Sequence, residues 1–434
     1  MQFNDTIFAL SSGRVPSGVA VVRLSGSAVR FVLETISGVV PQPGEMKLRT
    51  LRDAEESAID RGLVVFFAGP SSFTGEDCAE FHVHGGRAVV DALLRRLGNF
   101  SNVRHAEPGE FTRRAFLNGK FDLVQAEALG DLIESQTETQ RKMALDAANG
   151  HISRTYERWR SVLLKIQAAI AADIDFSDEG DVPDSVAKRV SEHISQVRVE
   201  LERHLASHRA EIVLDGFRVV IVGPPNAGKS SLLNALAGRD VAIVTDEPGT
   251  TRDLIEVPLD LGGIKIVVTD TAGIRSGAAR VEEIGIGRAL ASARNADLVL
   301  ELLPPAGLPL NVDSEWRDHL VVRSKVDMIE NRDGDSLLGI SVIGGEGLDE
   351  LLSIIRRKAE AAIEPGDSGP QKLRHRIALQ KCVDALRIAE RPGLELELVA
   401  EELRVAAGEI GRLTGRIDVE DILGEVFSAF CIGK

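Results

Sequence analysis

The stretch GPPNAGKS, Gly223 to Ser230, follows the apolar run FRVVIV and precedes the helical run SLLNALAG. That context makes a phosphate cradle, with backbone N–H groups of the loop and of the helix start facing an anion. Lys229 then reaches the outer phosphates, and the Ser230 hydroxyl ligates a magnesium ion. Further along, IKIVVTDTAG is an apolar strand ending in Asp270. Its carboxylate can hold that magnesium through water, with Gly273 free to face a γ-phosphate. Between these elements lies GTTRD, in which Thr251 can close over the metal as a switch residue. Three such elements in this order point to nucleoside triphosphate chemistry.

Base choice comes from RSKVD, residues 323 to 327, which resembles the guanine motif Asn-Lys-x-Asp. Asp327 would accept both guanine N–H donors and Lys325 would lie along the base. The Asn of that motif is replaced by Ser324, which lacks the amide contacts, so weaker affinity is expected with the base preference kept. The segment ISVIGGEGLDEL resembles the last guanine loop, with Ser341 at its start and Val342 in place of the usual Ala. Many GTPases orient the attacking water with a Gln at the position occupied by Ile274, so either hydrolysis is negligible or another group aligns the water.

Asn226 in the loop and the segment VTDEPGTTRD resemble a GTPase subclass that binds potassium, the cation acting where others use an arginine finger. The resemblance implies nucleotide contacts at Asn226, Ala227, Gly228, Lys229, Ser230 and Ser231, and along the switch at Thr245, Asp246, Glu247, Pro248, Gly249, Thr250 and Thr251. It adds Asp270, Thr271, Ala272 and Gly273, and at the base Ser324, Lys325, Asp327 and Ser341. Ser230 and Thr251 would ligate magnesium; Asn226, Thr245, Glu247 and Thr250 would ligate potassium. Glu282, in RVEEIGI, is a candidate to position the water, although by spacing alone it reads as an exposed helix glutamate.

The elements that must hold these residues divide along the chain. Residues 1–118 mix strand-like runs, GVAVVRL and LVVFFAG, with the helical run RAVVDALLRRL, the pattern of a small α/β domain. Residues 119–210 have apolar positions three or four apart, as in a helical bundle. A strand and helix alternation then occupies 211–365 and ends at the linker EPGDSGP, after which 366–434 returns to helix. The expected class is α/β plus α: an N-terminal α/β domain, a helical domain, and a P-loop domain inserted into the helical one.

The 434 residues are 44% hydrophobic and 27% charged, as in a folded globular chain of about three domains. Neither a signal peptide nor a long apolar span is visible, so the expectation is a cytoplasmic protein with no membrane partner. Three widely spaced cysteines, Cys78, Cys382 and Cys431, fit a reducing compartment without disulfides or a structural metal. A net charge of −15 repels nucleic acid, so an RNA partner must meet a local basic patch. Aromatics are 4%, which limits stacking surfaces.

Other signals carry two readings. His82 and His84 share a strand face with Glu80, a spacing a metal could use, but a pocket wall is the simpler reading without a third ligand. DIDFSDEGD has Asp178 where a calcium loop needs Gly, and reads as a solvated acidic loop. RHAEPGEFTRR can offer Arg104 and Arg114 to RNA phosphates or be a charged surface turn. The terminal CIGK reads as a frayed tail, unless the preceding ILGEVFSAF forms a helix whose apolar face docks and carries Cys431 inward.

Across nearly the whole chain, DTIFAL, GVAVVRLSG, FHVHGG, EPGEFTRRAFLNGKFDL, the G motifs and CIGK together resemble the MnmE (TrmE) tRNA-modification GTPases. The resemblance implies a homodimer with an N-terminal folate-binding and dimerisation domain. Arg23, Glu80 and Lys120, with Lys434 of the chain end, would bind 5-formyl- or methylene-tetrahydrofolate. It implies catalytic roles for Glu282, Arg275 and Cys431. It further implies a flavin-dependent partner of the MnmG (GidA) family, joined in a heterotetramer, and tRNA as substrate. With K+, Mg2+ and GTP, the assembly would install a carboxymethylaminomethyl group at C5 of the wobble uridine. The alternative is a GTP-switched ribosome assembly factor, which would share the G motifs but have no use for a folate pocket or a terminal cysteine.

Overall fold

The computed structural model describes residues 3–175, 184–243, 255–270, 293–309, 316–329, 336–363, 368–417, 420–428, 430 and 433. Its first α/β body runs β1 (Thr6–Leu10), β2 (Ser17–Ser25), α1 (Val29–Ser37), β3 (Met46–Arg52), β4 (Ala58–Phe67), β5 (Cys78–Gly85), α2 (Arg87–Gly98) and β6 (Val103–His105). The six strands form one sheet in the order β3-β4-β5-β2-β1-β6, antiparallel except for the β1–β6 pair. Strand alternation decides which residues meet. Ala20, Val22 and Leu24 of β2 and Ala79, Phe81 and Val83 of β5 bury against Val32, Leu33 and Ile36 of α1 and Val90, Leu93 and Leu97 of α2. Arg23, Glu80 and His82, at the intervening positions, fall on the other face.

Helices follow: α3 (Glu110–Leu117), α4 (Leu123–Glu134), α5 (Glu138–Ala148), α6 (His151–Asp175), α7 (Asp184–Ala206) and α8 (Arg209–Asp215). The start of α4 is closed reciprocally: the Gln125 N–H donates to Asp122 Oδ1 at 2.9 Å, and the Asp122 N–H donates to Gln125 Oε1 at 3.1 Å. Each satisfies a backbone donor that the first helical turn leaves without a partner. The acidic run expected as a loop starts inside α6, which continues to Asp175; residues 176–183 of it lie outside the described residues.

The second α/β body contains β7 (Phe217–Val222), α9 (Lys229–Ala237), β8 (Ile255–Asp260), β9 (Lys265–Asp270), β10 (Leu298–Leu303), β11 (His319–Ser324), β12 (Leu338–Ile340) and α10 (Leu348–Ala362). Its sheet order is β12-β11-β10-β7-β9-β8, parallel except for β8. Strands buried on both faces explain the near-continuous apolar runs FRVVIV and LVLELL, interrupted only by Arg218 and Glu301. The chain then returns to helix in α11 (Leu373–Ala389), α12 (Leu396–Leu413) and α13 (Glu420–Ser428). This is the expected class, two α/β bodies with the second set among helices. Among the described residues no helix is long and apolar enough to cross a membrane.

By compactness the chain separates into two units. One holds Met1–Gly130, Ala147–Ser161 and Ala407–Lys434; the other holds Asp131–Asp146 and Val162–Ala406. Within the first, α13 docks as its apolar spacing demands: Leu423 and Phe427 bury against Leu123 and Ala126. Phe427 seals Gly109, where an added Cβ would meet the Phe427 carbonyl at 2.5 Å, and the Phe430 ring covers Gly130. At Gly433 a Cβ would meet the Leu10 carbonyl at 2.4 Å, and the Ser11 hydroxyl donates to the Gly433 carbonyl at 2.8 Å. The chain end at Gly433 is therefore seated on the end of β1 rather than frayed. Cys431 and Lys434 lie outside the described residues.

Candidate functional site

In the second unit the phosphate loop joins β7 to α9. Gly223 at its entry has φ 145°, and a Cβ there would meet the Leu302 carbonyl at 2.4 Å, so glycine alone fits. Asn226 (φ 62°) and Gly228 (φ 92°) both adopt positive φ, the kind of curled backbone that turns N–H groups into an anion-binding concavity. Lys229 opens α9, and its Nζ donates to the carbonyls of Gly223 and Pro224 at 2.8 and 3.0 Å. Burial pushes its ammonium below the ordinary lysine value, opposed by the nearby charge of Asp270.

The parallel register Ile221↔Asp270 sets the end of β9 beside the strand that feeds the loop. Asp270 is fully buried, and the Ser230 hydroxyl donates to its Oδ2 at 2.7 Å. A hydroxyl and a carboxylate held together at the foot of a phosphate loop are oxygen donors of the kind magnesium takes. The residues present fit the ion.

At the base end, Ser324 closes β11 and is buried. Its Oγ lies 2.6 Å from the carbonyl of Ala227 in the phosphate loop and 3.0 Å from that of Leu303. Lys325 takes the left-handed conformation (φ 54°, ψ 42°), which only a few per cent of non-glycine residues adopt. Its side chain returns to the loop: a Cβ added to Gly228 would lie 3.9 Å from Lys325 Cε. Asp327 follows in a one-turn 3-10 helix, Val326–Met328, and is exposed, free to receive a base edge. Ser341 is buried, and its Oγ accepts from the Gly344 N–H at 3.1 Å, so it shapes its own loop. Four of the expected segments thus converge. Thr245 to Thr251, Thr271 to Gly273, Arg275 and Glu282 lie outside the described residues.

In the first unit the register of β2 and β5 sets Arg23 directly opposite Glu80. Arg23 holds Glu80 Oε1 through Nε at 3.0 Å and through its terminal nitrogen at 2.9 Å, and His82 Nε2 lies 3.1 Å from Oε2. The Arg23 guanidinium sits 5.4 Å from the ring centre of Phe73 and 5.9 Å from that of Phe111. Lys120 is exposed and donates to the Pro70 carbonyl at 2.7 Å, while the Asn118 amide donates to the Thr74 carbonyl at 2.8 Å. Both grip the loop that carries Phe73, which brings Lys120 into the same neighbourhood as the Arg23–Glu80 pair. His82 is half-buried and paired with Glu80. His84 turns instead to Asp60, 2.9 Å away, and among the described residues no group of three possible ligands could hold a metal.

Carboxylates take up the two arginines of the basic turn. Arg114 is fully buried and bonds Asp5, Glu76 and Glu110. Arg104, half exposed, spends its charge on Asp5 and Glu110 at 2.8 and 2.6 Å. Burial pushes the Glu110 carboxyl up, but hydrogen bonds from Arg104, the Glu107 N–H and Arg114 outweigh it and hold it below its ordinary value. These arginines fasten the fold. Sequence reasoning also missed Phe73 and Asn118; the only signal was an aromatic inside the glycine-rich turn GPSSFTGED.

Comparison with known proteins identifies the chain's relatives. A family model described as the GTP-binding protein TrmE N-terminus matches residues 6–120, and one described as the MnmE helical domain matches 123–431. A protein named tRNA modification GTPase MnmE from Mesorhizobium japonicum is 52% identical over 99% of each chain. One of the same name from Brucella ovis is 51% identical over 100% of this chain and 99% of its own. Among solved structures, the G domain of the T. maritima FeoB iron transporter is 27% identical, covering 33% of this chain and 98% of that one at a TM-score of 0.26. With full-length identity above one half, and with phosphate-loop, guanine-loop and N-terminal motifs all in place, the chain belongs to the MnmE family of tRNA modification GTPases.

Proposed function

We propose that the chain is a potassium-dependent GTP hydrolase that works in wobble-uridine modification of tRNA in the cytoplasm. The observation that carries the hydrolase reading is the convergence of Lys229, Ser230 and Asp270 under the loop that Ser324 ties to the guanine segment. Ser230 and Thr251 would hold magnesium, which would supply charge neutralisation on the outer phosphates, while Asp270 orients the Ser230 hydroxyl. Lys229 exchanges its loop carbonyls for phosphate oxygens. Asn226, Thr245, Glu247 and Thr250 would hold potassium, Arg275 would take a catalytic role, and Glu282 would position the water in the role left open by Ile274.

The N-terminal domain, residues 1–118, binds a 5-formyl- or methylene-tetrahydrofolate and dimerises; helices of 119–210 and 366–434 flank the GTPase domain of 211–365. The Glu80 carboxylate, whose two oxygens are already oriented by Arg23 and His82, would accept from the pterin's donor edge. Lys120 and Lys434 would supply positive charge to the folate, and Cys431 would serve as nucleophile or proton donor toward the one-carbon unit. An exposed apolar strip, Met46 and Leu48 of β3 with Leu63 opposite Leu48 on β4, supports a homodimer. A flavin-dependent partner of the MnmG family completes a heterotetramer that installs carboxymethylaminomethyl at C5.

The test is nucleoside analysis of tRNA from a strain lacking the gene. The wild-type gene should restore the modified wobble uridine, while Asp270→Asn and Glu80→Ala should not. Normal wobble uridines in the deletion strain would overturn the reading in favour of a role in ribosome assembly.

A further inference from the structure

The chain is poor in aromatics and carries a net charge of −15, yet one corner of the first unit concentrates both rings and cations. Phe31 on α1 is 63% exposed. Its ring meets Phe100, just beyond α2, edge to face at 5.9 Å and 87°. The Arg96 guanidinium stacks 4.6 Å from the Phe100 ring centre, and its buried Nε has no hydrogen-bond partner. Arg95 is exposed in the last turn of α2, and Asn99, Ser101 and Asn102 are exposed around Phe100. Packing does not account for Phe31: the buried face of α1 consists of Val29, Val32, Leu33, Ile36 and Ser37.

Resting on the tRNA reading above, we infer that this α1–α2 corner is an RNA contact, with an unpaired tRNA base stacked on Phe31 and the adjoining phosphates on Arg95 and Arg96. Every base has a π face, so an open phenyl ring accepts one without sequence preference. A guanidinium stacked on an aromatic loses little of its capacity to pair with phosphate, because its N–H donors lie in its own plane. The exposed Asn and Ser side chains supply donors and acceptors for a base edge or a ribose hydroxyl. Nearby acids limit the cationic area: Glu34 is exposed one turn along α1, Asp91 is exposed one turn before Arg95, whose Nε donates to the Asp91 carbonyl at 3.3 Å, and Arg30 is spent on Asp77 at 2.7 Å. The contact is therefore a stacking platform with few charges, and its salt dependence should be shallow.

Its position gives it a role. Both helices cover the sheet face formed by Val22, Leu24, Ala79 and Phe81, whereas Arg23 and Glu80 lie on the opposite face. The corner thus anchors a part of the tRNA remote from the reacting uridine.

Titrating a fluorescent tRNA transcript with the full-length protein tests this. Phe31→Ala should weaken binding about ten-fold, the effect of losing one stacked base, while Phe31→Trp should keep or improve it. Arg95→Glu should weaken binding and flatten its salt dependence further. GTP hydrolysis should be unchanged in all three. Parental affinity in both Phe31→Ala and Arg95→Glu overturns the contact, as does a change of oligomeric mass in Phe31→Ala with tRNA binding intact, which would make the corner a protein interface. A parent protein that binds no tRNA at all brings down the tRNA reading itself, and this contact with it.

Discussion

The Ser324 hydroxyl stands 2.6 Å from the Ala227 carbonyl and ties the guanine segment to the phosphate loop. A second carbonyl, that of Leu303, competes at 3.0 Å for the hydroxyl's only hydrogen. An asparagine amide would bring two donors to the same place. Ser324→Ala should weaken GDP and GTP binding about five-fold, the worth of one net hydrogen bond of about 1 kcal/mol, with rejection of ATP kept by Asp327. Ser324→Asn should tighten both nucleotides. Calorimetry showing no change in either variant would mean the loops are held together without this bond.

Hydrolysis should respond to the monovalent cation, because Ile274 supplies no water-orienting amide and Asn226 is held at φ 62° inside the loop. GTP turnover in potassium should exceed that in sodium strongly. Glu282→Ala should abolish turnover while nucleotide binding stays near normal. Equal rates in the two salts would remove the cation from the mechanism, and an active Glu282→Ala would remove the glutamate.

The buried Arg114 cluster predicts acid sensitivity. Glu110 and Asp5 both have carboxyls held below their ordinary values; burial opposes this, but hydrogen bonds and charge from Arg104 and Arg114 prevail. A depressed folded-state value stabilises above the unfolded carboxylate value, and the contribution is lost as pH falls through the folded one. Asp122 has the opposite sign: burial holds its carboxyl up, so its contribution is full at low pH and declines as pH rises. Melting followed from pH 7 down to about pH 3 should show the acid loss dominating. Glu110→Gln should cost about 2 kcal/mol near neutrality by removing one of the three carboxylates that hold buried Arg114, and should flatten that acid limb.

Gly223→Ala tests the close approach at the loop entry. With φ at 145° and the Leu302 carbonyl 2.4 Å from the added carbon, the backbone must shift. GTP affinity should fall at least ten-fold, with thermal stability lowered by about 1–3 kcal/mol. Unaltered nucleotide binding would show that the loop entry tolerates displacement.

The seated chain end separates chemistry from support. Cys431→Ser should leave GTP hydrolysis intact and lower uridine modification. Removing residues 431–434 also removes the Ser11–Gly433 bond, and should weaken folate binding as well. Normal modification by both variants would make the terminus purely structural.

Legibility in the sequence followed locality. The phosphate loop, the strand ending in Asp270 and the guanine segment are contiguous motifs in which spacing along the chain is itself the chemical constraint, so GPPNAGKS, TDTAG and SKVD declared a nucleotide site without any fold. The docking of α13 was legible for the same reason, since a helix repeats its apolar face every three or four residues. Contacts between distant strands were not. Only the parallel register of β7 and β9 set Asp270 against Ser230, and only the β2–β5 register made Arg23 and Glu80 a pair. Charge was the least legible property. Arg104 and Arg114 in RHAEPGEFTRR look like a basic surface, but folding buried Arg114 among Asp5, Glu76 and Glu110 and paired the half-exposed Arg104 with Asp5 and Glu110, because a buried guanidinium is tolerated only where carboxylates satisfy it. The open ring of Phe31 is the converse: an apolar residue in an amphipathic helix that only the tertiary packing of α1 left facing solvent.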